Sequence, residues 1–526
     1  NVVFAREFLF TCSQDSIEKI KEAIAEQDLT QVVVASCTPR THAPLFQSAL
    51  REAGLNPYLY EHVNIREHSS WVHRNNPQEA TAKAKDLVRM AVAKVALLKP
   101  VQPTYTMINP TALVVGGGAA GMTAAVSLSQ QGFDVHLVEK TGQLGGNLVH
   151  IHYTLEGGNT QALLNQLIEQ VTTDPRITVH TGAVPVDFGG YPGNYRTTVR
   201  TGTGETTEIE HGALVLATGA RQMQTEEYLA GRHPGVLTQT DFEQRLASGE
   251  GQDINTVVMI QCVGSRDDNH PWCSRICCSH ALKNALKLKE QNPGARVYVL
   301  YRDLRAYGLK EEYYTAARQK GVVFIRYDQN AKPQVTADGD SLTVTVTDHI
   351  LGQPVQFKPD LLVLSTGIAP NGENAALSKL FKVPLDADGF LLEAHMKLRP
   401  VDFAAEGLYL CGLAHGPKSA GESIMQANAA AMRAATLLSK EKLENVAITA
   451  TVNPRRCAGC GLCVAACSYN ARELDPDTRI ARVTEVLCQG CGACVVACPN
   501  GASQQKGFEK GLMLAALGAA LAEEVI

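Results

Sequence analysis

The apolar positions change period in a fixed order along the chain. Ala112-Leu113-Val114-Val115 is a continuous apolar run, residues 122–131 space small and apolar side chains as a helix does, and 134–139 returns to an apolar run. Strand, helix and strand in that order predict a βαβ unit. The order recurs over 256–260, 279–290 and 297–301, so a second unit is expected. Residues 214–219 and 362–367 add two strands that each end in Thr-Gly, and 407–412 leads into a helix over 423–435. Upstream, helices over 16–27 and 81–98 flank a buried parallel strand at 31–36, and Lys99-Pro100-Val101-Gln102-Pro103 makes a linker. The expected architecture is α/β. It has an N-terminal α/β domain over 1–100 and a double Rossmann region over 108–445, with the second unit at 256–350. A cysteine-rich α+β domain over 446–505 and a C-terminal helix over 506–526 complete it.

The turn after the first strand carries Gly116, Gly118 and Gly121 as Gly-x-Gly-x-x-Gly. The first glycine permits the tight turn, the second lets the backbone reach a pyrophosphate, and the third lets helix and strand pack closely. Ala119 and Ala120 lie within that turn, and Glu139, about 20 residues on, is placed for the ribose hydroxyls. Lys140 and the pair Gly145-Gly146 follow it. Together with Ala217-Thr218-Gly219, Gly367 and Gly412, this arrangement resembles the thioredoxin-reductase-like flavoprotein fold. The resemblance implies FAD in the first site, with those residues around it. One departure stands out: Gly412 is followed by Leu413, where that family usually has Asp.

No glycine turn follows the strand at 256–260, where a nicotinamide dinucleotide would normally sit. The chain instead places Cys262, Cys273, Cys277 and Cys278 before the next helix. Free buried cysteines are common core residues, but an adjacent pair with two neighbours suits a cluster. That reading replaces hydride exchange with electron exchange between flavin and iron–sulfur.

Composition extends the point. The chain has 526 residues, 48 Lys+Arg against 53 Asp+Glu, and 15 cysteines. Near-balanced charge argues against nucleic-acid binding driven by basicity. Eight cysteines fall in 457–498 as two Cys-x2-Cys-x2-Cys-x3-Cys runs, the bacterial ferredoxin spacing, in which the fourth Cys ligates the other cluster. The assignment is therefore Cys457, Cys460, Cys463 and Cys498 for one [4Fe–4S] cluster, and Cys488, Cys491, Cys494 and Cys467 for the other. The runs align at an offset of 31 with nine of 15 positions identical, which marks a duplication. Paired zinc sites are the competing reading. No apolar run approaches the ~20 residues of a membrane span, no secretory leader is legible, and dense cysteines suit a reducing cytoplasmic setting.

Flavin region, second-turn cysteines and terminal ferredoxin together resemble the A-type subunit of heterodisulfide reductase. Thr11-Cys12-Ser13, Ser36-Cys37-Thr38-Pro39, Asn64-Ile65-Arg66-Glu67-His68, Trp71-Val72-His73 and Tyr301-Arg302-Asp303-Leu304-Arg305 fit the same family. The resemblance implies three [4Fe–4S] clusters with FAD, electron bifurcation or its reverse, and a dimer of a hetero-oligomer. The partners implied are other such subunits, ferredoxin, and hydrogenase- or dehydrogenase-linked donors. This chain lacks the inserted ferredoxin domain after Gly146. Cys12, Cys37 and Cys411 stay unassigned, and His62, His68 and His73 fit no common ligand spacing. A reduced flavin anion needs a cation, for which Lys283 and Lys310 are the candidates. The competing functions are an NAD(P)H-dependent flavin oxidoreductase like the small subunit of glutamate synthase, and a non-bifurcating electron relay.

Overall fold

The computed structural model describes residues 2–445 and 447–522, so the last four positions of the expected C-terminal helix lie outside the described residues. Two compact units result: Asn1–Thr106 with Glu444–Ile526, and Met107–Leu443.

The second unit is built on two five-stranded parallel sheets. The first has the order Leu408–Leu410, Ala213–Leu216, Ala112–Val115, Val135–Val138, Ile177–His180; the second runs Val236–Thr238, Leu361–Thr366, Thr256–Val263, Arg296–Tyr301, Val323–Arg326. Ala112–Val115 and Leu361–Thr366 are buried throughout. Layers on both faces of a parallel sheet explain such unbroken apolar strands. Each sheet is accompanied by a three-stranded antiparallel sheet, and Ala220–Gln222 pairs with Ile368–Pro370. The expected strands and helices are present. One boundary differs: the helix expected from 279 runs Cys277–Gln291, so the adjacent cysteines form its first turn.

In the first unit, Val32–Ser36 pairs in parallel with Tyr60–Asn64. The helices Gln14–Glu26 and Pro39–Glu52 close a core of Ile17, Ile24, Phe46 and Leu50 over that pair. The helix Lys510–Leu521 packs along Pro77–Val95, which draws the N-terminal segment and the cysteine-rich module into one body. Among the described residues no helix is long and apolar enough to cross a membrane.

The cysteine-rich module keeps its duplication in three dimensions. Ala450–Val452 and Ala481–Val483 correspond, as do Leu462–Ala465 and Ala493–Val496, and Arg472–Leu474 and Ser503–Gln505. Each pair is separated by the sequence offset of 31.

Candidate flavin and iron–sulfur sites

In the first sheet, Gly116 has φ +116°, and a Cβ there would strike the carbonyl of Ala217. A Cβ on Gly121 would enter the Gly116 carbonyl oxygen, whereas one on Gly118 would meet nothing closer than 3.9 Å. Two glycines thus close the turn and the third leaves an open cradle. Gly118 forms a bridge with Gly145, which brings the 142–146 loop against it. Glu139 accepts from the Gly117 N–H at 2.7 Å and from the Thr141 N–H at 2.8 Å. Its carboxylate thereby fixes the turn. The Thr218 hydroxyl is buried without a partner, and buried polar atoms are normally paired. An open glycine cradle at a helix start and an orphaned hydroxyl at the neighbouring strand end fit a dinucleotide lying across both.

The other expected contacts divide. Ala119 and Ala120 form the first turn of the helix Ala119–Ser129. Gly412 has φ +70°, and a Cβ there would lie 2.8 Å from Ala120 Cβ, so the last strand end abuts that turn. Lys140 is exposed and pairs with Glu373 at 3.1 Å. Gly367 is enclosed by Met223, Ser265 and Ser274 at the second sheet.

Sequence reasoning missed Lys418. It is 9% exposed, and its ammonium donates to the carbonyls of Gly412 at 2.6 Å and Gly416 at 2.7 Å. Burial lowers its pKa to about 8. The one signal available was its place between the Gly412 turn and Ser419, which caps the helix Ala420–Leu438. Lys283 is engaged by a carboxylate: its ammonium is 2.7 Å from Glu243, which is fully buried and also accepts from His280 Nε2 at 2.7 Å. Burial alone raises Glu243, but His280 and Lys283 outweigh it and hold the carboxyl below its usual range. Lys310 sits 5.2 Å over the Tyr307 ring.

Cys262, Cys273, Cys277 and Cys278 come together at the turn of the second sheet. Burial pushes Cys278 up to about 11 and Cys277 well above the thiol range; the neighbouring Cys262 and Cys273 push both further the same way. Cations answer these thiols. Arg266 Nη1 is 3.9 Å from Cys262 Sγ and its Nη2 pairs with Asp303 at 2.6 Å, while Arg302 donates to the Arg266 carbonyl at 2.8 Å. Protonated buried thiols ringed by arginine suit a site where metal displaces the protons. The loop is pinned to the flavin side by Arg275, which pairs with Glu422 at 2.7 Å, and by Ser274 Oγ, which accepts from the Ile368 N–H at 2.7 Å.

In the module of 450–505, Cys457, Cys460, Cys463 and Cys498 line one cavity, and Cys467, Cys488, Cys491 and Cys494 line another. Among the described residues no three His, Cys, Asp or Glu side chains converge on a single-ion position. Four thiols around a cavity fit a polynuclear cube; zinc draws four ligands to within about 2.3 Å of one point. Backbone N–H groups already address the sulfurs: Ala450 to Cys488 and Ala481 to Cys457, both at 3.4 Å. Burial opposes ionisation of Cys498, yet backbone hydrogen bonds at Ser503, Ala502, Asn500 and Gly501 hold its thiol below the usual value. Of the cysteines left over, Cys12 is exposed, Cys411 is buried, and Cys37 Sγ lies 3.3 Å from His42 Nδ1. His62 is hydrogen-bonded to Ser36 and to the Cys37 carbonyl.

Residues 110–264 match the pyridine nucleotide-disulphide oxidoreductase family, and 450–502 the 4Fe-4S dicluster domain. The second form of the iron–sulfur A-type subunit of CoB–CoM heterodisulfide reductase from Methanopyrus kandleri is 35% identical, covering 90% of this chain and 86% of that protein. The chain belongs to the heterodisulfide reductase A-type subunit family. A second relative, the A-type subunit of the H(2):CoB-CoM heterodisulfide,ferredoxin reductase of Methanothermobacter marburgensis, is 34% identical over the same shares. A solved thioredoxin reductase of Lactococcus lactis is 17% identical, covers 62% of this chain and 99% of that one, and superposes with a TM-score of 0.44. Like its family, the chain is an oxidoreductase, a flavoprotein that also carries 4Fe–4S clusters.

Proposed function

We propose that the chain distributes electrons inside a heterodisulfide reductase-type assembly, accepting them in pairs and passing them singly to acceptors of unlike potential. The observation that carries this is the second Rossmann turn, where four cysteines stand in the place of a nicotinamide cradle, with Arg266, Arg302 and Arg305 near them. When bound, FAD supplies the exchange between two-electron and one-electron transfer, and each [4Fe–4S] cluster supplies a single-electron store.

The residues divide the work. Gly116, Gly118 and Gly121 admit the dinucleotide, and Glu139 holds their turn. Cys262, Cys273, Cys277 and Cys278 hold a third cluster beside the two of the ferredoxin module. Lys418, rather than Lys283 or Lys310, is the positive charge at the flavin: it is buried at the Gly412 strand end, while Lys283 is neutralised by Glu243. The NAD(P)H oxidoreductase reading gives the cysteines at the second turn no role, and the simple relay is distinguished by passing electrons to one acceptor alone.

The partners proposed are further subunits of the same type, ferredoxin, and a hydrogenase- or dehydrogenase-linked donor. The names of relatives, which pair a heterodisulfide with H2 or ferredoxin, support this. The test is anaerobic purification of the native complex with its co-purifying subunits. One donor pair of electrons should reduce a high-potential and a low-potential acceptor in equal amounts. Rapid reduction of the isolated chain by NAD(P)H, or reduction of either acceptor alone at full rate, overturns the reading.

A further inference from the structure

The two ferredoxin halves share their cluster-binding framework, and among the buried residues that line the two cavities one position breaks the match. Arg472 opens the strand Arg472–Leu474, and its counterpart at the offset of 31, Ser503, opens Ser503–Gln505. Arg472 lines the cavity of Cys467, Cys488, Cys491 and Cys494, while Ser503 lines the other. Arg472 is 5% exposed, and its Nη2 donates to Cys494 Sγ at 3.1 Å and to Ser503 Oγ at 2.7 Å. Its Nε and Nη1 are buried with no partner.

A guanidinium with two of its three nitrogens unanswered is unfavourable in a protein interior unless a negative charge stands nearby. A thiolate-bound cluster is such a charge, and it gains one more negative charge with each electron accepted. Hydrogen bonds to cluster sulfurs and local charge are what set these potentials. The backbone N–H bonds to sulfur are matched between the halves at Cys457 and Cys488, so they do not separate the clusters. Arg472 does. It donates to Cys494, a ligand of one cluster, and on the side of the other cavity to the Ser503 hydroxyl.

We infer that Arg472 sets the two ferredoxin clusters at different reduction potentials, holding the cluster of Cys467, Cys488, Cys491 and Cys494 higher and making it the resting place of the first electron. Arg472 is a positioning residue that tunes a ligand. The inference rests on the two-cluster reading, and iron analysis checks that reading separately.

The test is a dithionite titration of the loaded full chain followed by EPR, with Arg472→Ser, which makes the two halves alike at this position. Two separate ferredoxin-domain waves are expected in the parent. In the variant, one wave should move to lower potential by roughly tenfold in its reduction equilibrium, about 59 mV for one electron, and the other should move less. Iron content should stay unchanged. Should Arg472→Ser lose iron, Arg472→Gln, uncharged but similar in length, carries the same measurement. Waves that stay in place in a fully loaded variant, or that move together, overturn the inference.

Discussion

In both Rossmann units a parallel strand delivers the chain to the start of a helix, but the two connections are built on opposite principles. At 116–121 the working surface is backbone, and it exists because side chains are missing; a Cβ on Gly121 would occupy the Gly116 carbonyl. At 262–278 the working surface is side chain: four thiols, with Arg266, Arg302 and Arg305 near them. The second connection also carries backbone strain that the first assigns to glycine. Cys262, Arg266 and Arg275 have φ of 61°, 59° and 60°, a region that costs a residue with a Cβ about 1–3 kcal/mol. The ion pairs of Arg266 with Asp303 and Arg275 with Glu422 hold two of them there. One scaffold thus hosts unlike chemistry, and the difference lies in what the turn leaves out or puts in.

Substitutions at the two turns should fail differently. Gly121→Val should abolish flavin binding, read as the ratio of flavin absorbance to protein, while the ferredoxin iron remains. Cys277→Ser should leave the flavin and lower iron from about 12 to about 8 atoms per chain, one cube of four. A parent chain with only about eight irons would show that the second turn holds no cluster. Lys283→Met tests the frame behind that turn: it strands the buried Glu243 charge, so stability should fall by about 3–5 kcal/mol, seen as a lower melting temperature. Flavin potential should not move, whereas Lys418→Met should lower it at little cost in stability.

The smallest effect is a pH dependence. Burial lowers Lys418 to about 8 from an ordinary lysine value of 10.5. Between those values the unfolded chain binds the proton and the folded chain does not, so stability rises with pH across that window. Lys418 carries its positive charge below about pH 8 and loses it above. Flavin reduction should therefore become harder as pH passes 8, with the step absent in Lys418→Met.

Much of this was legible in the sequence because it is local. Glycine spacing, apolar runs and the ferredoxin repeat each act within a few residues, and the crossed cysteine sets line the two cavities as the spacing implied. The burial of Lys418 was not legible, because it comes from how the loop between the Gly412 turn and the helix Ala420–Leu438 folds back on the ammonium, and that loop carries no periodic pattern. The engagement of Lys283 was hidden for a different reason. Its partner Glu243 lies 40 positions away on another helix, so its engagement shows only after folding. Cys277 and Cys278 read in sequence as preceding a helix that in fact begins with them, as cysteine gives no N-terminal signal of its own.

The exchange of fourth cysteines has a consequence for how the chain comes into being. Cys467 is set by the first half yet closes the second cavity, and Cys498 does the reverse. Each half is therefore an unfinished vessel that its twin completes, like two links that can only be closed through one another. Iron delivered to one cavity fixes a residue of both halves at once, so maturation under scarce iron should yield empty chains beside full ones rather than a population of half-filled intermediates.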